Sequence, residues 1–199
     1  MRGIALWIGF IALLACSPAR ADDIEVRDAR LRSLEEGLVL DADFAFELTP
    51  RLAEVLANGV PLYFRVDFEL TRRRWYWFDE QAAARQLHLR LSYHALSRHY
   101  RLSTGLLQQS FPNLDEALNV LQHLRSWLVV ERTVSFADAD YEAAVRMRLD
   151  TALLPKPFQL SALTSRELHL ESAWRRFVVP SPQQQPAPVE TREPRGAQR

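Results

Sequence analysis

A chain of 199 residues carrying 25 basic and 25 acidic side chains has no formal net charge, which argues against a nucleic-acid binder, since those show a clear basic excess. Cys16 is its only cysteine, so no disulfide framework can staple the chain. Between two non-globular ends lie about 155 residues, enough for one domain with its own core.

The first 21 residues read as an export signal. Arg2 supplies a positive start, Gly3 to Ala15 form an uncharged apolar run, and Ala19-Arg20-Ala21 fits the small-x-small cleavage pattern. That run is shorter than the ~20 residues needed to span a bilayer, and no later segment reaches this length, so the mature chain is expected to have no transmembrane helix. "LLAC", Leu13 to Cys16, also resembles a bacterial lipobox, in which Cys16 is lipidated and becomes the new N-terminus. Leu14 departs from the usual lipobox residue, whereas Ala19 and Ala21 suit the ordinary peptidase, so cleavage after Ala21 is the preferred reading. Either route exports the protein, and the periplasm is the expected location. Cleavage at Ala21 takes Arg2 and Arg20 and no acid from the 25 and 25, leaving 23 basic and 25 acidic residues, a formal charge of −2. The mature chain would then hold no cysteine despite an oxidising compartment, and its stability must come from the core.

The body, residues 22–179, reads as a single β-rich domain. "IEVRDARL" opens it, and a turn around Ser33 to Gly37 leads to a strand with Leu38, Leu40, Ala42, Phe44 and Phe46 on one face. "TPRLAEVLANG" predicts a helix with Pro50 in its first turn and Gly59 as its stop. Val60, Leu62, Phe64, Val66, Phe68 and Leu70 then alternate with Tyr63, Arg65, Asp67 and Glu69, the pattern of a strand with one solvated face. Leu87, Leu89, Leu91 and Tyr93 repeat it, as do Tyr141, Ala143, Val145, Met147 and Leu149. "PNLDEALNVLQHLRSW" predicts a second helix, capped by Asn113 with Glu116 three residues on and striped by Leu114, Ala117, Leu118, Leu121 and Leu124. "LLPKPFQL" is expected to be extended because of Pro155 and Pro157, and "SAWRRF" fits either a short helix or an edge strand. From Pro180 onward, five prolines in twenty residues with almost nothing apolar predict a disordered Pro/Gln-rich tail, residues 180–199. One-sided strands joined by short turns predict a mainly-β fold, an antiparallel β-sandwich with one or two short covering helices.

The densest cluster is "TRRRWYWFDE", residues 71 to 80. Continuing the preceding register would turn Arg72 and Arg74 inward, so a bulge or strand end near Arg72 is expected, moving Trp75 and Trp77 to the core side and Tyr76 and Phe78 to the other. The alternative is a binding surface, Arg73, Arg74, Trp75, Tyr76, Trp77 and Phe78, suited to a peptide, sugar or glycan. "SYHALSRHYRL" predicts a hairpin with a turn at Ala95 to Arg98 and with His94 and His99 as cross-strand neighbours, Arg101 close by. His88, His94 and His99 on one face raise the possibility of zinc or copper, but Arg90, Arg98 and Arg101 crowd that patch with positive charge, so a solvated face is preferred and no metal is assigned. The chain holds no G-x-S-x-G, S-x-x-K, H-E-x-x-H or P-loop motif, and no catalytic residue or cofactor is assigned.

The signal segment, "IEVRDARL", "GVPLYFRVDFELTRRRWYWFDE", "YHALSRHYRLSTG" and "LLPKPFQL" together resemble an exported proteobacterial family, domain of unknown function 4390, also labelled proline-rich signal peptide protein. The resemblance covers about Ile24 to Val179 and implies no catalytic residue. It implies an envelope signalling context, with a membrane sensor kinase as the kind of partner. The expected function is therefore a non-enzymatic protein-interaction module of the cell envelope. The alternatives are a glycan or small-ligand binder using Trp75, Tyr76 and Trp77, and a metal binder through His88, His94 and His99.

Overall fold

The computed structural model describes residues 24–72, 80–131 and 141–179. The expected signal segment, the expected tail and the stretch Arg73 to Phe78 lie outside the described residues. Among the described residues nine strands form: β1 (Glu25–Leu34), β2 (Gly37–Ala45), β3 (Leu62–Arg72), β4 (Glu80–His94), β5 (His99–Thr104), β6 (Leu107–Phe111), β7 (His123–Glu131), β8 (Tyr141–Leu149) and β9 (Arg175–Val179). They build two antiparallel sheets, one of order β1-β2-β7 and one of order β6-β5-β4-β3-β8-β9. The fold is mainly β, as the alternation predicts.

That alternation decides which face is buried. In β3 the residues Leu62, Phe64, Val66, Phe68 and Leu70 are wholly inside, and in β8 so are Ala143, Val145 and Met147. Leu40, Ala42 and Phe44 of β2 join the same core from the smaller sheet. Phe68 meets Trp127 of β7 edge-on at 6.4 Å, an aromatic contact between the two sheets.

Among the described residues three α-helices accompany the sheets rather than one or two. α1 (Pro50–Ala57) starts where Thr49 Oγ1 accepts the Leu52 N–H at 3.2 Å, and Gly59 follows it at φ 83°, a conformation only glycine adopts freely. α2 (Leu114–Gln122) starts where Asn113 Oδ1 accepts the Glu116 N–H at 2.9 Å. It is shorter than its stripe suggests: Leu124 belongs to β7, paired with Ala42, because ladder pairing with β2 takes over directly after Gln122. α3 (Lys156–Thr164) corrects the extended reading of "LLPKPFQL". Pro157 lies in the first turn, where a helix needs no amide donor, and the Pro155 carbonyl accepts the Phe158 and Gln159 N–H groups at 2.9 and 3.2 Å. "SAWRRF" resolves as the entry to the edge strand β9.

The β2–β7 ladder slips between Leu40↔Trp127 and Ala42↔Leu124, and Ser126 adopts φ 52° there. Asp41 stabilises the irregularity. Its carboxylate accepts the Ser126 N–H at 2.8 Å and two N–H groups of Arg32, one of them at 3.1 Å. The hydrogen bond from Arg32 is the largest cause holding the Asp41 carboxyl below the usual carboxylate range; burial opposes it and the Ser126 amide adds to it. A carboxyl whose folded pKa lies below its unfolded value, roughly 3.9, contributes stability above that value and loses it as the pH falls through the folded pKa. Asp41→Asn is therefore expected to lower unfolding stability by roughly 1–2 kcal/mol at neutral pH. The gap from wild type should narrow below a pH of about 4 in denaturant titrations run across a pH series. A gap that stays constant through that range would show that the charge of Asp41 is not what holds the bulge.

Candidate functional site

The expected surface from Arg73 to Phe78 begins one residue beyond β3. The ladder feeding it contains a bulge, but on the partner strand, so it does not shift the register of β3. Leu70 pairs with Ala83 and Thr71 with Gln81, so Ala82 of β4 is the extra residue, while β3 stays in unbroken register with β8 as far as Arg72↔Tyr141. Arg72 is half-buried, with Nη1 4.0 Å from the Glu80 carboxylate across the ladder.

The hairpin brings its predicted residues together. His94 pairs with His99 and Ser92 with Arg101, which sets His94, His99 and Arg101 on the outer face at one end of the sheet. Both histidines spend Nδ1 inside the turn. Ser97 N–H donates to His94 Nδ1 at 3.3 Å, the Ser97 hydroxyl lies 3.1 Å from the same atom, and His99 Nδ1 contacts the Ser97 carbonyl. His88 sits opposite Arg65, six positions from His94 along β4, or roughly 20 Å at the usual rise of a strand. The three imidazoles thus do not converge, and among the described residues no group of three or more His, Cys, Asp or Glu side chains could hold a metal ion. That spacing gives the metal-binding alternative no support.

Two features escaped the sequence. The first is an ion cluster on the outer face of the larger sheet. Asp67 is only 5% exposed although its place in the alternation is a solvated one. The cross-strand pairs Asp67↔Arg146 and Arg65↔Arg148 gather three guanidinium groups around one carboxylate. Arg146 Nε donates to Asp67 Oδ2 at 3.0 Å, and the Nε atoms of Arg65 and Arg148 lie 3.2 and 3.3 Å from its two oxygens. Arg65 Nε, Arg148 Nε and Asp67 Oδ1 make no directed hydrogen bond, so proximity of charge rather than hydrogen-bond geometry holds them. Asp150, 3.8 Å from Arg65, and Glu171, 3.1 Å from Arg146, balance the remaining positive charge. Arg146 also covers the Trp174 ring at 4.5 Å, tying the segment before β9 to β8.

The second feature is the edge at β6, unpaired on one side among the described residues. The described sheets end in four edge strands, β1, β7, β6 and β9. Arg27, Asp28, Arg30 and Arg32 mark β1, Arg125 and Glu131 mark β7, and Arg175 and Arg176 mark β9; β6 alone carries no charge. Charged side chains on an edge discourage pairing with another chain. The turn joining β5 to β6 is the two-residue Gly105-Leu106, with only Gly105 at positive φ (57°), as in a type II′ hairpin. Thr104↔Leu107 is then a hydrogen-bonded pair, and alternation along the ladder turns the backbone groups of Gln108 and Ser110 outward. Leu106 is fully exposed and Leu107 is 74% exposed. Beside them a cavity of about 190 Å³ lies between Leu89, Leu102 and Leu107 of this sheet and Val120, Leu121 and Leu124 beyond it, with Gln109, His123 and Arg125 also on its wall.

The ion cluster ties β3, β8 and the segment before β9 together. Asp67→Asn leaves three arginines around a neutral side chain and is expected to cost about 3 kcal/mol. Glu69→Gln, two residues along on the same face, should cost under about 0.5 kcal/mol. Denaturant unfolding of both variants measures the contrast, and equal effects would remove Asp67 as the centre of the cluster.

No curated protein and no solved structure matches this chain. None of the described helices is long and apolar enough to cross a membrane. A family model does match, over residues 21–178, and the chain belongs to the family described as domain of unknown function (DUF4390).

Proposed function

We propose that this protein is an exported protein-interaction module of the cell envelope and that it recognises its partner by strand pairing at β6. One observation carries the reading: of four described edge strands, three bear charge and the fourth bears none, while its Gln108 and Ser110 backbone groups face outward beside exposed Leu106 and Leu107. An added strand would satisfy those backbone groups, and its inward side chains would meet the apolar cavity at Leu107 and Val120. Export is supported by the signal-like first 21 residues and by a family match that begins at residue 21, the expected cleavage point. The resemblance to an envelope family with a sensor-kinase context supplies the kind of partner, an extracytoplasmic protein segment.

Gln109 is exposed at the mouth of the cavity it lines with Leu102, and Gln109→Lys places a charge in the middle of the edge. Crosslinking in intact cells, followed by capture of the mature protein and mass spectrometry, is expected to enrich a discrete envelope partner with wild type. The folded Gln109→Lys variant should lose it, and Leu96→Lys, on the exposed tip of the neighbouring hairpin, should keep it. Equal capture by all three proteins would overturn strand pairing at β6.

A further inference from the structure

We infer that the strand received by β6 is the β6 of a second copy, so that two larger sheets join across a two-fold axis into one continuous sheet. This rests on the strand-pairing reading above and names a second copy, in place of a sensor segment, as the occupant of that edge. Antiparallel pairing centred on Gln109 sets Leu107 opposite Phe111 of the other copy and Gln108 opposite its Ser110. Leu107, Gln109 and Phe111 share the face of Leu102, Thr104 and Tyr100, whereas Gln108 and Ser110 lie on the other, so each of these pairs matches apolar with apolar or polar with polar. Moving the axis to Gln108 would set Leu107 against Gln109. Moving it to Ser110 would bring Pro112, which has no amide hydrogen, opposite Gln108.

Hydrogen bonding is compatible with the same axis. The outward backbone groups belong to Gln108 and Ser110, and these are the residues that face each other when Gln109 lies on the axis. No charged residue occurs from Leu102 to Leu114, in a chain that is 25% charged, so the two edges meet without like-charge repulsion. The pairing is isologous and closes at two copies. The opposite edge of each sheet, β9, carries Arg175 and Arg176, which discourage further growth. Five residues from each copy form a seam smaller than the ~800 Å² per partner of a standard interface, so the dimer is reversible and concentration-dependent.

The exported protein has no free thiol, because Cys16 is either removed or lipidated, and this permits a direct test. On the axis, Gln109 forms a non-hydrogen-bonded pair with its copy, at a Cα separation of about 4.5 Å, within the span of a disulfide. Under mild oxidation Gln109→Cys is expected to give a disulfide-linked dimer, while Val178→Cys, 68% exposed on β9, stays monomeric. Sedimentation of wild type should shift from monomer towards dimer as concentration rises, and Gln109→Lys should remain monomeric with an unchanged far-ultraviolet circular dichroism spectrum. Wild type that is monomeric at every concentration, or Gln109→Cys that crosslinks no faster than Val178→Cys, would overturn self-pairing. If Gln109→Lys nevertheless loses an envelope partner in cells, recognition at this edge stands and only the second copy is excluded. If that variant keeps its partners as well, both readings fall.

Discussion

From Phe64 to Arg72 the β3–β8 ladder runs without a single register shift, and every inward residue of β3 along it as far as Leu70 is fully buried. A slip of one residue would carry Phe64, Val66, Phe68 and Leu70 to the outer face. Each such side chain contributes roughly 1.5–3 kcal/mol by its burial, so the register is strongly specified. The outer face inherits it. Arg65 is set opposite Arg148, a like-charge pair that by itself destabilises, and Asp67 beside Arg146 offsets it. The ion cluster is in this sense a consequence of the core: once the apolar faces are aligned, these arginines are neighbours and need a shared acid.

Irregularity is displaced to the strands around this ladder. The extra residue near Arg72 is Ala82 of β4, and β7 slips opposite β2, where Ser126 takes its positive φ under the Asp41 carboxylate. Bulges bend and twist the strands that contain them. The centre of the larger sheet stays regular while its periphery adapts, and the edges then differ chiefly in what their exposed side chains repel.

The strands were legible because their alternation is long and clean: β3, the second half of β4, and β8 bury the residues that period two selects. The caps at Thr49 and Asn113 and the His94–His99 pairing were legible because each depends on a few adjacent residues. Two local readings failed where two rules compete. Pro155 and Pro157 forbid a helix interior but not a first turn, and Leu124 satisfies both the helical stripe of α2 and the alternation of β7. The burial of Asp67 was not legible at all, because the pairing Asp67↔Arg146 joins residues far apart in the chain. The uncharged run from Leu102 to Leu114 was plain in the sequence, but it acquires meaning only when β6 proves to be an edge. For Arg73 to Phe78 the choice between core strand and binding surface stands where the residues alone left it.

An edge strand is also the part of a sheet that pairing changes most. Among the described residues β6 is paired on one side only, by β5, and of its five residues only Phe111 is partly buried. Such a strand sits at the low end of local stability. Occupying its free side would make it an interior strand and enclose Leu107. The effect would not stop there, because only Pro112 separates Phe111 from Asn113, which caps α2, and Val120 and Leu121 of α2 share the cavity with Leu107. Leu121 is fully buried and fixed to the common core, so α2 is clamped at one end by the core and at the other by the strand that a partner would order. Pairing at β6 is therefore coupled by direct contact to the helix that leads into β7, and through β7 to the smaller sheet.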